Sequence, residues 1–146
     1  MAQFGWRRPN KRIHAACDLY APLKSDVVSV DAGIIVESGY FYENTQAIAI
    51  RHEGIGIIRY GEILEIPEEF LKIGAKVEKG GIVIGKVGQV IKVSPMVHIE
   101  LFDGSGSGIF TDRVNKIEYY NEGVLKSANY QRRADLMNPT KFLDRL

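Results

Sequence analysis

Ser94-Pro95-Met96-Val97-His98-Ile99-Glu100-Leu101-Phe102 is the stretch from which the rest of the chain is best read. Its residues alternate in character, as a strand does: Val97, Ile99 and Leu101 share one face, Met96, His98 and Glu100 the other. An imidazole held on the polar face of a strand can serve as a metal ligand, and the chain has three histidines. A second one opens His14-Ala15-Ala16-Cys17-Asp18, which ends in a carboxylate. Two imidazoles and a carboxylate suit zinc, which accepts nitrogen and oxygen ligands, and a catalytic zinc keeps its fourth position for water. The question is whether the fold brings His14, Asp18 and His98 together. A fully extended His14–Asp18 segment would hold its Cα atoms about 13 Å apart. A bend shortens this to roughly 6 Å, and the small Ala15 and Ala16 permit one. On spacing alone, the plainer reading of two ordinary surface residues stands ahead.

A length of 146 residues predicts one domain over 1–146 with a real hydrophobic core. The net charge of +1 provides no bulk attraction to nucleic acid or to an anionic membrane. Fifteen glycines against five prolines, with many short Val/Ile runs, predict a mainly β fold with tight turns. No apolar run approaches the roughly 20 residues that span a bilayer. The first eight residues carry no apolar signal-peptide core. The single cysteine, Cys17, excludes an internal disulfide framework. With no nearby cation to lower its pKa, it reads as a buried, inert thiol.

Working outward, residues 1 to 13 are polar and basic, with a turn at Pro9-Asn10. Val27–Val30 and Gly33–Val36 read as two short strands joined by a turn. Ala47–His52 and Ile55–Ile63 read as a hairpin closed by Glu53-Gly54. Ile66–Ile73 is the first plausible short helix or turn, with Pro67 at a first helical position. A turn-rich connector, Gly74–Gly81, precedes Ile82–Gly88 and the His98 strand. Gly104-Ser105-Gly106-Ser107-Gly108 reads as a flexible loop. The tail from Arg132 is extended and then closes in a short helix after Asn138-Pro139.

Taken in order, these segments resemble the lysostaphin/LytM-type zinc endopeptidases of bacterial cell walls. His14, Asp18, Leu19, Ala21 and Pro22 resemble the family's first zinc motif, and Val27–Val36 its following strand pair. Ile48, Ile50, His52 and Gly54, then Tyr60 and Ile63, resemble its central hairpin. Gly74, Val77, Gly80, Ile84, Gly85 and Gly88 match its glycine-marked run. Val97-His98-Ile99-Glu100 falls where the family has a His-x-His-Phe-Glu strand. The resemblance implies antiparallel sheets that form a groove with Zn2+ at its floor, and few short helices. It implies His14, Asp18 and His98 as ligands, and hydrolysis of peptide bonds in peptidoglycan stems or cross-links at the cell wall, in the periplasm or outside the cell. The absence of a signal peptide fits delivery by a phage tail or a secretion apparatus, or a mature chain.

The sequence also departs from the family. Relatives carry two further histidines that are not ligands; their places are taken here by Met96 and Glu62. A thioether cannot shuttle a proton at neutral pH, whereas a carboxylate beside zinc is a workable general base. Glu62 therefore reads as the substitute base, against an exposed hairpin glutamate in a decayed site. Tyr60, which shares strand parity with Glu62, is preferred over Arg59 as oxyanion donor. His52 is expected to be structural or to support the site from behind, and Glu100 to orient the His98 ring or simply to face solvent. Arg132-Arg133 reads as a solvated basic pair. The alternative to an enzyme is a catalytically degenerate relative, a scaffold that binds peptidoglycan or a partner protein through the same groove.

Overall fold

The computed structural model describes residues 3–7, 13–113, 118–121, 124–127 and 131–146. The expected Pro9-Asn10 turn lies outside them. The fold is mainly β, as expected. Its frame is one antiparallel sheet in which β8 (Met96–Phe102) and β5 (Gly56–Leu64) lie side by side at the centre. Beyond β8 lie β1 (Cys17–Tyr20) and β13 (Leu136–Met137); beyond β5 come β4 (Gln46–His52), β3 (Gly33–Tyr40) and β6 (Lys76–Val77). A flap of β2 (Asp26–Val28) and β7 (Val83–Val87) joins through the last residues of β5. Two small ribbons complete the strands: β9 (Thr111–Asp112) with β12 (Gln131–Arg132), and β10 (Glu118–Asn121) with β11 (Val124–Ser127). Among the described residues, helix is confined to a 3-10 turn at Glu68–Phe70 and to α1, Thr140–Leu143. No helix among them is long and apolar enough to cross a membrane.

The period-two pattern explains where the core sits. Val97, Ile99 and Leu101 of β8 pack with Ile58, Tyr60 and Ile63 of β5 and with Ile48 and Ile50 of β4. Burying each such aliphatic side chain contributes about 1.5–3 kcal/mol. Phe142 and Leu143 of α1 pack on the same cluster, and Asn138 Oδ1 accepts from Thr140 N at 2.9 Å in the turn that leads into α1. Cys17 is fully buried, as expected of an inert thiol, and its Sγ lies 3.3 Å from Thr140 Oγ1.

Three expectations need correction. The segments Val27–Val30 and Gly33–Val36 do not pair with one another: β2 pairs with β7, and β3 pairs with β4 and β6. The glycine-rich loop after Phe102 is not free. The Asp135 carboxylate accepts from both Gly104 N and Gly106 N at 3.1 Å, and Asp103 N donates to the Asp135 carbonyl at 3.0 Å. Finally, β8 has no solvated face, because all seven of its residues are buried. A second layer of polar side chains covers the side that the sequence presents as polar.

Candidate metal centre

His14, Asp18 and His98 converge, each buried, with their ligand atoms all within 4.8 Å of one another. The main chain assembles the group. Asp18 of β1 and His98 of β8 are paired in register, so their side chains rise from neighbouring strands on one face. His14 arrives through the expected bend, which falls at Ala16, itself fully buried. The N-terminal segment holds His14 in place: Gly5 N donates to its carbonyl at 2.8 Å, and its own N–H donates to Trp6 O at 2.9 Å.

The hydrogen bonds on the far side of each ring set the tautomers. His14 Nδ1 lies 3.0 Å from the Gln3 carbonyl, an acceptor, so Nδ1 carries the proton and Nε2 keeps its lone pair. That Nε2 is buried, makes no hydrogen bond, and sits 3.0 Å from Asp18 Oδ1. His98 Nε2 lies 3.2 Å from Glu100 Oε1 and donates to it, which turns the Nδ1 lone pair toward Asp18 Oδ1 at 2.9 Å. Two nitrogen lone pairs and a carboxylate oxygen aimed at one point repel one another unless positive charge lies among them. Where no cation lies there, burial opposes charging His98, yet the Asp18 and Glu100 carboxylates outweigh it and favour a second proton on the ring, which raises its pKa. Burial likewise opposes the Asp18 charge, but both histidines hold its carboxyl well below the usual range. Around a tetrahedral zinc with bonds of about 2.0–2.1 Å, ligand atoms lie about 3.3 Å apart. The donor set, the spacing and the orphaned Nε2 all fit zinc.

Glu100 lies beside His98 and does not face solvent. It is fully buried. Its Oε2 accepts from Arg59 Nη1 at 3.2 Å, and its Oε1, which faces His98, also accepts from Arg132 Nε. Arg59 continues to Glu37 Oε1 at 2.7 Å and Thr111 Oγ1 at 2.6 Å, with its guanidinium 4.8 Å from the centre of the Phe41 ring. Burial alone would raise the Glu100 pKa; Arg132, His98 and Arg59 together hold it far below the carboxylate range. Two guanidinium groups around a buried carboxylate satisfy the desolvated charge on every side.

The family model for peptidase family M23 matches residues 12–109, a span that contains all three ligands and the hairpin between them. The chain belongs to peptidase family M23. Solved structures agree on the fold of this M23 chain. The catalytic domain of the antimicrobial peptidase lysostaphin from Staphylococcus simulans superposes with a TM-score of 0.65 at 19% identity, over 99% of this chain and 90% of that one. The structure of LytU gives a TM-score of 0.67 at 16% identity, over 100% of this chain and 84% of that one. A mutant catalytic domain of the prophage-encoded M23 protein EnpA from Enterococcus faecalis gives 0.58 at 24% identity, over 72% and 80%. No curated protein matches the chain. With the family and the ligand cluster in hand, this M23 chain is a zinc-dependent peptidase.

In front of His98 lies a cleft of about 270 Å³ whose lining includes Phe41, Glu62, Val90, Met96, Arg113 and Arg132. Glu62 reaches it through a bulge. Ile48 pairs with Tyr60 and Gln46 with Ile63, so Gly61 and Glu62 together oppose the single Ala47. Glu62 takes the left-handed conformation, φ +57°, inside a strand.

The same bulge overturns the expectation for Tyr60. Parity holds only along a regular strand, and the extra residue breaks it. Tyr60 points away from the cleft into the core, 2% exposed, and its hydroxyl oxygen accepts from Val30 N at 3.2 Å. Burial pushes its pKa up to about 12. Tyr60 is therefore not an oxyanion donor. Arg59, the residue passed over, lies on the site's side, opposite Glu100, but is sealed beneath it.

His52 does not support the metal centre. It pairs with Gly56 at one end of the β4–β5 hairpin, whereas His98 pairs with Gly61, about 16 Å further along β5. Its Nδ1 lies 2.7 Å from the Ala32 carbonyl, and it lines a separate cavity of about 760 Å³ with Arg51 and Asp103. Burial lowers its pKa against the bond to Ala32. Nor are Arg132 and Arg133 a solvated pair. Arg133 forms a two-pronged pair with Asp135, at 2.6 and 2.9 Å, and lies 4.3 Å from the Phe110 ring centre. One sequence signal for the buried network existed: Glu37, Arg59 and Glu100 are charges set among the apolar runs of strands that the hairpin reading places close together.

Proposed function

We propose that this M23 peptidase is a peptidoglycan endopeptidase in which Glu62 is the general base. The single observation that carries the reading is that Glu62 and His98 line the same cleft. The chain is similar in fold to an antimicrobial peptidase and to a prophage-encoded M23 protein, and cell-wall peptide is the substrate class that fits both.

His14, Asp18 and His98 would hold the zinc, whose contribution is that of a Lewis acid that also acidifies water. The chain's own groups do the rest. Glu62 takes the proton of the attacking water as oxygen adds to the scissile carbonyl carbon, and returns it to the amine as the C–N bond breaks. Glu100 fixes the His98 ring by accepting from Nε2, and Phe41, 5.6 Å from that ring, packs against its face. Holding Glu62 in a left-handed conformation inside a strand costs about 1 kcal/mol, a strain that a glycine would avoid and a functional carboxylate justifies. The site of action under this reading is the cell wall, reached by a phage tail, by a secretion apparatus, or as a mature exported chain.

A second reading has its own observation. Met96, 3% exposed, occupies a place where the family has an imidazole, and it cannot move a proton. A scaffold that binds the wall without cutting it would look the same there. Digestion of purified peptidoglycan by wild type and by Glu62→Gln, with zinc content measured on both, separates the two. Soluble fragments with new amino termini from wild type, and a loss of about 10²–10⁴-fold in the zinc-loaded variant, support the endopeptidase. A zinc-loaded wild type that leaves walls of several chemistries uncut supports the scaffold.

A further inference from the structure

The cleft holds a candidate base but needs a donor, because hydrolysis of a peptide bond places negative charge on the former carbonyl oxygen. Neither replacement at the family's accessory positions supplies one: Met96 has no proton to donate, and an ionised Glu62 only accepts. Among the described residues that line the cleft, the side-chain donors are Tyr42, Thr111, Arg113 and Arg132. Tyr42 is 41% exposed and competes with water. Thr111 is buried, and the bond it accepts from Arg59 at 2.6 Å ties its hydroxyl to the network behind the cleft. Arg113 is turned aside, donating to the Phe41 carbonyl with its guanidinium 5.2 Å from the Tyr40 ring centre.

Arg132 remains, and its setting is specific. Its Nε donates to Glu100 Oε1, the same oxygen that receives His98 Nε2. The guanidinium is thus tied to a metal ligand through one shared atom. The side chain is 18% exposed, against 3% for Arg59, so of the two guanidinium groups on Glu100 only Arg132 opens to the cleft. Its Nη groups make no hydrogen bond to a described residue. A planar, permanently charged fork, anchored at one N–H and without a hydrogen-bond partner among the described residues at its Nη groups, is preorganised to stabilise developing negative charge.

We infer that Arg132 is a catalytic residue that donates to the tetrahedral oxyanion, supplying the donor that the replaced family histidines do not. The inference rests on the peptidase reading above. The sequence does not show it because Arg132 lies 32 residues beyond Glu100, and the β9–β12 ribbon returns it there.

The test uses the zinc-loaded full chain and the wall substrate that wild type cuts. Arg132→Gln should lower kcat by about 10²–10³-fold with KM changed only a few-fold. Arg132→Lys keeps a cation beside Glu100 and so guards against misfolding; it should also lose most of kcat. Two further readouts separate donation from scaffolding. Affinity for a phosphinate analogue of the cleaved bond should fall in parallel with kcat/KM, and added guanidinium ion should partly restore Arg132→Ala. The zinc content and the visible spectrum of the cobalt-substituted protein should not change. An active wild type whose Arg132 variants keep kcat within about threefold overturns the inference alone. Variants that lose metal or shift the cobalt spectrum also overturn it, since Arg132 would then act only through Glu100 and His98. An inactive wild type overturns the peptidase reading, and this inference with it.

Discussion

Asp18 and His98 face each other across the β1–β8 register, with Asp18 Oδ1 2.9 Å from His98 Nδ1. Two of the three zinc ligands are therefore placed by main-chain pairing before any metal arrives. Asp18→Ala or His98→Ala should leave the strands paired but lower zinc affinity by more than about 100-fold, beyond the loss caused by removing a residue behind a ligand. Metal analysis after dialysis checks this, with circular dichroism confirming the fold. Stoichiometric zinc in either variant would remove that residue from the ligand set.

Glu100 connects the ligands to the buried cations. Glu100→Gln should weaken zinc binding by about 10–100-fold through loss of His98 orientation. Glu100→Ala should also destabilise the zinc-free protein by about 1–3 kcal/mol, because buried Arg59 keeps Glu37 but loses one of its two carboxylate partners. Urea denaturation measures the second effect independently of the first.

Acid should undo the same network. Glu100 and Asp18 both have folded pKa values below the ordinary range. Unfolded carboxyls titrate near about 4.3 for Glu and 3.9 for Asp, so the unfolded chain takes up protons first as pH falls. The stability these two groups contribute is complete at neutral pH and is lost progressively below about pH 5. Zinc-free protein should show urea midpoints that drop between about pH 5 and pH 3, with a shallower drop in Glu100→Gln. Equal midpoints at both ends of that window would contradict the assignment.

Tyr60 offers the opposite test. Tyr60→Phe should leave kcat unchanged within about twofold, since the hydroxyl faces the core, and should cost about 1 kcal/mol for the acceptor lost to Val30 N. A large fall in kcat at unchanged stability would return Tyr60 to the catalytic group.

Asp135 should prove to be the anchor of the glycine loop. Asp135→Ala removes the acceptor for Gly104 N and Gly106 N and the partner of Arg133, a loss of about 3 kcal/mol for a buried pair broken on one side. Amide exchange at Gly104 and Gly106 should accelerate while exchange in β8 stays slow. Unchanged exchange at both glycines would show that the loop is held by something else.

Much of this was legible in the residues themselves. Alternation on Met96–Phe102 correctly divides Val97, Ile99 and Leu101 from His98 and Glu100, because side-chain direction along a regular strand is a local property of the backbone. The His14–Asp18 spacing and the small residues between them signal a bend, and the hairpin of β4 and β5 shows in its apolar runs and Glu53-Gly54 turn. The order of motifs points to the family. Where local regularity breaks, the reading fails: Tyr60 keeps the core-facing parity of Ile58, the bulge at Gly61 and Glu62 turns Glu62 alone to the cleft, and parity counting cannot see an extra residue.

By itself, then, the sequence determined the mainly β class, the ligand candidates and the direction of the His98 side chain. The tertiary structure decided which charges are buried, since burial depends on what strands distant in sequence lay over a face. Glu100 looks like an ordinary polar-face glutamate until Arg59 and Arg132 close around it. Arg132 looks like half of a solvated pair until β12 carries it to the cleft. A charge's partner is set by three-dimensional proximity, which the spacing of residues along the chain does not encode.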